Sequence, residues 1–467
     1  MAAVTAEPTP PPTPALPLPD DPDLLRAMLI AAREERDRQF CELVAAHDWI
    51  NGVLTNPAYR ALRRSRQLVR RGARPRPPKA TVRSARLTAP ATPGALWVDI
   101  TPLDESMRSG IARVTIRLAQ ELDDLTCGRV ELVRPVAGRF RRDLSLEAEL
   151  LATPGRVREA GTPPASQVSL PAAGVFLSAC VPPRERAAGW WQAIAHMQAS
   201  GGIYAQIVHD LIPVSAPDFF DQGLRAWFPE WLGAVADRAD VIIAVSQATL
   251  DDLEAWLATR GEHCGAKLTV VRNGADVGTD GQLPADGEPG PSPRRGTDVL
   301  VVGTIEPRKG VEAVLDAAAE LHRRGSPVRF TLVGTKGWIG DSTLRRLQAA
   351  DAGEQNLRWL QRVGDADLVE LYRSADLLLA PSRAEGYGLP VVEARAWGLP
   401  VLARDLPVFR EVGGTDTRYF GTDAELPDAI EAALAAPTPG GPVSPRSWSA
   451  AAADVLAALP GDATGRC

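Results

Sequence analysis

Two α/β domains, each a parallel sheet covered by helices on both faces, are the architecture this sequence predicts. Three observations lead there. At 467 residues the chain is too long for one ordinary domain and suits two, each with ample core. In both halves apolar runs of strand length alternate with stretches of helical period, the pattern of parallel pairing through crossover helices. Between the halves, Ala275 to Thr297 is rich in Gly, Pro, Asp and Ser and carries neither period, so it reads as a linker. The expected organisation is a disordered or helical basic arm over residues 1–90, a doubly wound domain over 91–276, a linker over 277–297, a second doubly wound domain over 298–440 and a closing helix within 441–467. A cleft would separate the two domains.

The arm begins with a proline-rich stretch, Met1 to Asp21, that reads as disordered, followed by helical character from Asp23 to about Arg71, with Leu24, Leu25, Met28 and Leu29 bunched at its start. From Arg60 to Arg86 there are 11 Lys or Arg and no acid; taking those charges out of the chain's net −6 leaves −17 on the remainder. A basic helix beside an acidic body suggests docking of residues 60–86 on an anionic membrane surface. A solvated charged tail is the plain alternative. Nucleic acid is not expected as a partner, because no aromatics interleave those charges.

In the first domain, Trp97 to Ile100 reads as the opening strand, and Ser109 to Arg113 starts a helix with Ile111, Val114, Leu118 and Leu122 on its apolar face. Ile203 to Val208 is an apolar run that ends in His209-Asp210 and is closed by Pro213. The histidine thus falls at the carboxyl end of a strand, where open α/β sheets bind ligands. There it could orient a hydroxyl or accommodate a proton; a structural histidine held by Asp210 is the other reading. Ala239 to Val245 is a buried strand, Ser246 a helix cap, and Leu268 to Gly274 a last strand and turn.

In the second domain, Val299 to Val302 is a buried strand ending at Gly303. Val311, Val314, Leu315, Ala318 and Leu321 have helical spacing, and Gly325 sits where a left-handed cap belongs. Glu312, Asp316 and Glu320 share one face of that helix and read as solvated. Arg308 and Lys309 fall in the strand-to-helix loop; a guanidinium fork beside an ammonium suits a diphosphate, although two adjacent loop cations also survive as mere solvated charge. Further on, Ser382-Arg-Ala-Glu385-Gly386-Tyr-Gly388-Leu389-Pro390-Val-Val-Glu393 packs two carboxylates, a glycine turn and a helix start into twelve residues. Gly386 and Gly388 allow close backbone approach, Pro390 suits the first helical position, and the amides around Gly388 and Leu389 with the helix dipole would face an anion. Carboxylates do not bind phosphate, so Glu385 and Glu393 need hydrogen-bond donors, and vicinal sugar hydroxyls fit. The bland reading leaves Glu393 complementing the dipole in the first helical turn and Glu385 in solvent.

These motifs carry a resemblance. The second half is similar to the retaining GT-B glycosyltransferases of family 4, marked by two glutamates separated by seven residues beside a glycine-rich turn, here Glu385 and Glu393. Leu332 to Thr335, Leu371 to Asp376, Gly398 to Val401 and Phe409 to Gly414 match in the same order, and Tyr387 stands where the family has Phe. The resemblance implies two Rossmann-like domains and a closing helix that returns to brace the first. It also implies a nucleoside diphosphate sugar as donor, with Glu385 by the transferred sugar, Glu393 on the ribose, and Arg308 and Lys309 on the diphosphate. Of the family's glycine turn in the first domain only Gly110 remains. The Val208-His209-Asp210 segment resembles bacterial polysaccharide mannosyltransferases of that family and suggests mannose from GDP-mannose.

No apolar run reaches the length of a membrane span, and the first residues lack a basic-then-apolar leader, so a cytoplasmic location is expected, with peripheral attachment to the inner membrane face through the arm. The five cysteines, Cys41, Cys127, Cys180, Cys264 and Cys467, have no paired spacing, which fits a reducing compartment and argues against zinc. Without an Asp-x-Asp pair poised after a strand, neither a metal nor another cofactor is expected. The reaction implied is transfer of a hexose, with retention and by attack on the face the leaving group departs from, to a hydroxyl of a surface polysaccharide or lipid-linked glycan. A nucleotide sugar epimerase, a sugar phosphorylase, or a non-catalytic scaffold binding nucleotide sugar or glycan would share the fold.

Overall fold

The structure, a computed structural model, describes residues 96–103, 110–136, 139–143, 146–147, 150–151, 167–168, 174–261, 264–275, 297–353, 356–436 and 446–460. The arm over 1–90, nearly all of the linker and Ser109 lie outside the described residues.

Burial of both sheet faces requires strands that are apolar throughout, and β5 (Val175–Ser178), β7 (Val241–Ala244) and β12 (Leu377–Ala380) are buried along their whole length. The first sheet also contains β1 (Leu96–Asp99), β2 (Val130–Val136), β3 (Arg139–Arg142), β4 (Gln167–Val168), β6 (Ile203–Val208) and β8 (Lys267–Val270). Its order is β4-β3-β2-β1-β5-β6-β7-β8. Pairing is parallel except at β2 with β3 and β3 with β4, an antiparallel edge that the strand-helix alternation did not foretell. The second sheet adds β9 (Asp298–Val302), β10 (Arg329–Val333), β11 (Leu357–Leu360), β13 (Val401–Arg404) and β14 (Thr417–Phe420), ordered β11-β10-β9-β12-β13-β14 and parallel throughout.

Both sheets wind outward from a first strand and then reverse, at β1 with β5 and at β9 with β12. The loops leaving such a pair diverge, opening a crevice at the carboxyl edge. In the second sheet those two loops are the ones that carry Arg308-Lys309 and Glu385, so the topology itself sets the motifs side by side.

Local expectations need three corrections. Ile111 is 40% exposed, and the buried face of the helix Gly110–Leu125 is instead Ala112, Val114, Thr115, Leu118, Ala119 and Leu122. The helix Leu389–Ala396 makes Pro390 its second residue and Glu393 its fifth, so Glu393 is not a first-turn dipole partner. The Glu312, Asp316 and Glu320 face is not simply solvated: Thr343 donates to Glu312, Arg346 pairs with Asp316, and Arg323 and Arg324 pair with Glu320. Glu312 and Asp316 reach a neighbouring element because the helix Asp341–Ala352 packs against theirs, while Glu320 pairs within the last turn of its own helix.

Ser246 accepts from Thr249 N at 3.0 Å and caps the helix Gln247–Arg260. Gly325 takes φ +72° after the helix Val311–Arg323. The helix Trp448–Ala458, capped by Ser447, packs on the helix Gly110–Leu125 and on β7 of the first sheet, burying Trp448, Val455 and Leu456. Cys127 is disulfide-bonded, which the scattered cysteine spacing did not indicate, while Cys180 and Cys264 are free. Among the described residues no helix is long and apolar enough to cross a membrane.

Candidate functional site

The loop after β9 tightens into a 3-10 turn, Pro307–Lys309, and the loop after β12 runs beside it, joined by Arg383 N donating to Arg308 O at 2.7 Å. This fixes three charged side chains around one point. Lys309 Nζ lies 2.5 Å from Glu385 Oε2, and Arg308 Nη1 lies 3.6 Å from the same oxygen. Arg308 Nε is also 2.9 Å from Glu306 Oε2. A cavity opens against this cluster, lined among others by Gly303, Lys309, Ser382, Glu385, Gly388 and Phe409. Gly388 at φ +91° has the left-handed geometry that favours glycine, and a Cβ there would fall 2.8 Å from the Phe409 ring. Leu389 follows as the first helical residue.

Burial pushes the Glu385 carboxyl up, but the charges of Lys309 and Arg308 and hydrogen bonds from Lys309 and Ser382 outweigh it and hold it below its usual value. Glu385 is therefore an anion clamped by two cations. Glu306 behaves oppositely: burial raises its pKa despite Arg308 and Lys309.

The first domain approaches the same charged cluster without lining the cavity. His209 and Asp210 follow β6 directly. Burial also raises the Asp210 pKa against the pull of Arg308 and Lys309, so this carboxyl sits close enough to feel both cations and Glu385. His209 Nε2 lies 3.1 Å from Ala179 O; a carbonyl only accepts, so Nε2 carries the proton and Nδ1 is left as acceptor. Burial lowers the His209 pKa from 6.5 to about 4, so the ring is neutral at physiological pH. Between those two values the unfolded chain binds more protons, so the stability that neutral His209 contributes is complete above pH 6.5 and falls away as pH drops to about 4. Urea melts at pH 7 and pH 4.5 should show His209→Gln losing less stability on acidification than wild type; equal losses would refute a buried neutral imidazole.

Gly386 does not open toward a phosphate. Its carbonyl accepts from Ser246 Oγ at 2.8 Å and Thr249 Oγ1 at 3.2 Å, and a Cβ would land 2.0 Å from His209 O. The glycine is required for the domains to meet rather than for ligand approach. Gly386→Ala should cost about 1–3 kcal/mol of stability by overpacking, and a calorimetric melting curve matching wild type would contradict that packing.

Glu393 stands apart from this cluster. Arg113 Nη1 donates to its Oε1 at 2.8 Å and the Tyr372 hydroxyl to its Oε2 at 2.7 Å, with Glu393 only 2% exposed. Glu393 does not line the cavity that Lys309 and Glu385 share, and neither does Gly110, whose position at the start of its helix has open space around it. The four charged residues thus divide into a compact trio of Arg308, Lys309 and Glu385 and a separate carboxylate held by Arg113.

Arg113, Tyr372, Glu306 and Glu411 went unassigned from sequence. Arg113 did leave a signal, since a cation in the first turn of a helix opposes the dipole and calls for a partner. Glu411 accepts from Gln247 N at 2.9 Å, Ala248 N at 3.2 Å and Arg272 Nε at 2.9 Å, capping a first-domain helix from the second domain; nothing local to it announces that role.

Comparison with known proteins agrees with this fold. Residues 287–436 match the family described as Glycosyl transferases group 1. Over 254 residues the chain is 35% identical to the serotype-specific mannosyltransferase WbdA of Escherichia coli, covering 52% of this chain and 31% of that protein. Over 223 residues it is 34% identical to the phosphatidyl-myo-inositol mannosyltransferase of Mycobacterium leprae, covering 46% of this chain and 53% of that protein. The chain therefore spans well under two thirds of these relatives' lengths. In fold it resembles the crystal structure of Anabaena HepE in complex with UDP-glucose, with a TM-score of 0.52 at 16% identity over 78% of this chain and 100% of that one. The two domains follow the GT-B plan, and the second, over residues 287–436, matches the group 1 glycosyltransferase family.

Proposed function

We propose that the protein transfers a hexose, mannose from GDP-mannose, to a hydroxyl of a surface polysaccharide or lipid-linked glycan, retaining the anomeric configuration. The observation that carries the reading is the Lys309-Glu385-Arg308 cluster beside a cavity at the switch point of the second sheet. The mannosyltransferase names of its relatives favour the sugar.

A diphosphate entering the cavity competes with Glu385 for Lys309 and Arg308, and each cation gains a doubly charged partner in exchange for a single carboxylate. Glu385, released from its clamp and ionised, then accepts from hexose hydroxyls. Glu393 exchanges its Tyr372 or Arg113 hydrogen bond for a ribose hydroxyl. As the bond from the anomeric carbon to phosphate oxygen breaks, Lys309 and Arg308 stabilise the charge on the departing diphosphate. The acceptor oxygen bonds to the anomeric carbon on that same face, and its proton passes to the leaving phosphate oxygen. Neutral His209 offers Nδ1 as a hydrogen-bond acceptor to orient that hydroxyl.

Two cations suffice for the neutralisation in this scheme, so neither a metal nor another cofactor takes part, and turnover should persist in excess EDTA; loss restored by a divalent ion would replace that part of the mechanism. We place the enzyme in the cytoplasm, with residues 60–86 against anionic lipid at the inner membrane face. Cosedimentation with phosphatidylglycerol vesicles but not phosphatidylcholine vesicles is the expected result, and equal recovery with both would remove the lipid role.

The donor is tested by thermal shift, since a ligand at 100 times its Kd stabilises by about 2.7 kcal/mol. GDP-mannose should raise the melting temperature. A response to UDP sugars alone would replace the donor, and no response to any nucleotide sugar would overturn the reading.

A further inference from the structure

Among the described residues Ile111 and Trp338 are the exposed large hydrophobics, and Trp338, at 49% exposure, lies on the cleft side of the second domain. Its loop follows β10 and is tied to the loop that carries Arg308. Ile305 and Lys336 form a β-bridge, and a Cβ on Gly337 would lie 2.8 Å from Glu306 Cγ. From there Trp338 reaches the first domain. Its indole Nε1 donates to Phe219 O at 2.8 Å, and its ring centroid lies 5.6 Å from that of Phe220 at a 38° tilt. Phe219 ends the short turn Pro217–Phe219, a few residues beyond the Ile212 amide that Asp210 caps.

A tryptophan kept only to wedge two domains would bury its faces, because an open indole forfeits the burial that large aromatics contribute. Here one edge and the N–H are engaged and much of the ring remains in water. Asp218, the residue preceding Phe219 in the chain, is almost fully exposed, with Arg225 3.1 Å from its carboxylate. An aromatic face next to a carboxylate and a guanidinium is the chemistry of a sugar ring, whose C–H groups pack on the π-system while its hydroxyls donate to the acid and accept from the base. The donor diphosphate and hexose belong with Lys309 and Glu385, and Trp338 does not line the cavity those two share, so a ring at Trp338 belongs to the second substrate.

We propose that Trp338 and Phe220, with Asp218 alongside, form a glycan-stacking subsite shared by the two domains at the rim of the cleft, occupied by a sugar unit of the acceptor. The inference rests on the transferase reading above and assigns the acceptor's chemistry at a place separate from the donor residues.

The test is calorimetric titration of the full chain with mannotriose and with maltotriose, alongside GDP-mannose and UDP-glucose. Wild type should bind a trisaccharide; Trp338→Ala should weaken that binding by about tenfold or more, the loss expected of a stacking aromatic, and leave nucleotide sugar affinity unchanged. Trp338→Phe keeps a ring but deletes the hydrogen bond to Phe219 O, so it should restore most trisaccharide affinity. If Trp338→Phe behaves like Trp338→Ala, the residue is a domain latch and the subsite is refuted. The subsite is also refuted if wild type binds a nucleotide sugar but neither trisaccharide, or if Trp338→Ala binds trisaccharide like wild type. Failure of every nucleotide sugar to bind wild type would instead count against the transferase reading.

Discussion

Lys309→Ala should lower kcat by about 10²–10³, the loss typical when one preorganised group facing developing charge is removed. It should do so without unfolding the protein. Glu385 keeps Arg308 3.6 Å from the same oxygen and keeps the Ser382 hydrogen bond, so the variant does not strand a buried charge. The Glu385→Ala variant inverts the problem. It frees Lys309 and Arg308 for phosphate while deleting the carboxylate meant for the hexose, so donor affinity should hold or rise while turnover falls. Product formation from GDP-mannose, read with a thermal melt of each purified variant, checks both. Turnover within threefold of wild type for either, in a folded protein, removes that residue from the mechanism.

The second large effect is at the interdomain pair. Arg113 and Glu393 are 280 residues apart, and Glu393 is almost wholly buried. Removing the guanidinium leaves the carboxylate with Tyr372 alone, and breaking one side of a buried pair costs about 3–5 kcal/mol. Arg113→Ala should therefore lower stability clearly in denaturant melts, whereas Glu393→Ala leaves a partly exposed Arg113 that water can solvate and should cost less. If Glu393 takes ribose hydroxyls, Glu393→Ala should also weaken nucleotide sugar binding by about tenfold or more, since a hydrogen bond to a charged group is worth about 1.5–3 kcal/mol. Unchanged donor affinity by calorimetry would make Glu393 a domain-bridging residue only.

Much of the second domain was legible because its signals are local. A continuous apolar strand, a glycine at its end and a helical period behind it define the β9 unit wherever it lies in space, and Arg308 and Lys309 inherit their place at the sheet edge from that order. Glu385 follows from the β12 unit in the same way. Gly386 was legible as a position needing glycine but not for what: two hydroxyls and a main-chain carbonyl from the first domain crowd it. Ile111 shows the limit of period alone. It fits the apolar spacing of its helix and yet faces outward, because at the first turn none of the described elements covers that angle.

The amino-acid order by itself determined two doubly wound domains, the two loops of the second that carry cation pair and glutamate, and the histidine at a strand end, since each depends on the periodicity and chemistry of adjacent residues. Tertiary structure decided which charges meet. Arg113 with Glu393, Glu411 with the Gln247 amide, Asp210 facing Arg308, and Trp338 over Phe220 all join segments far apart in the chain. Hydrogen bonds and ring contacts form only at a few ångströms of real distance and carry no trace of sequence separation, so those pairings exist only once both sheets have formed and their carboxyl edges have been brought together.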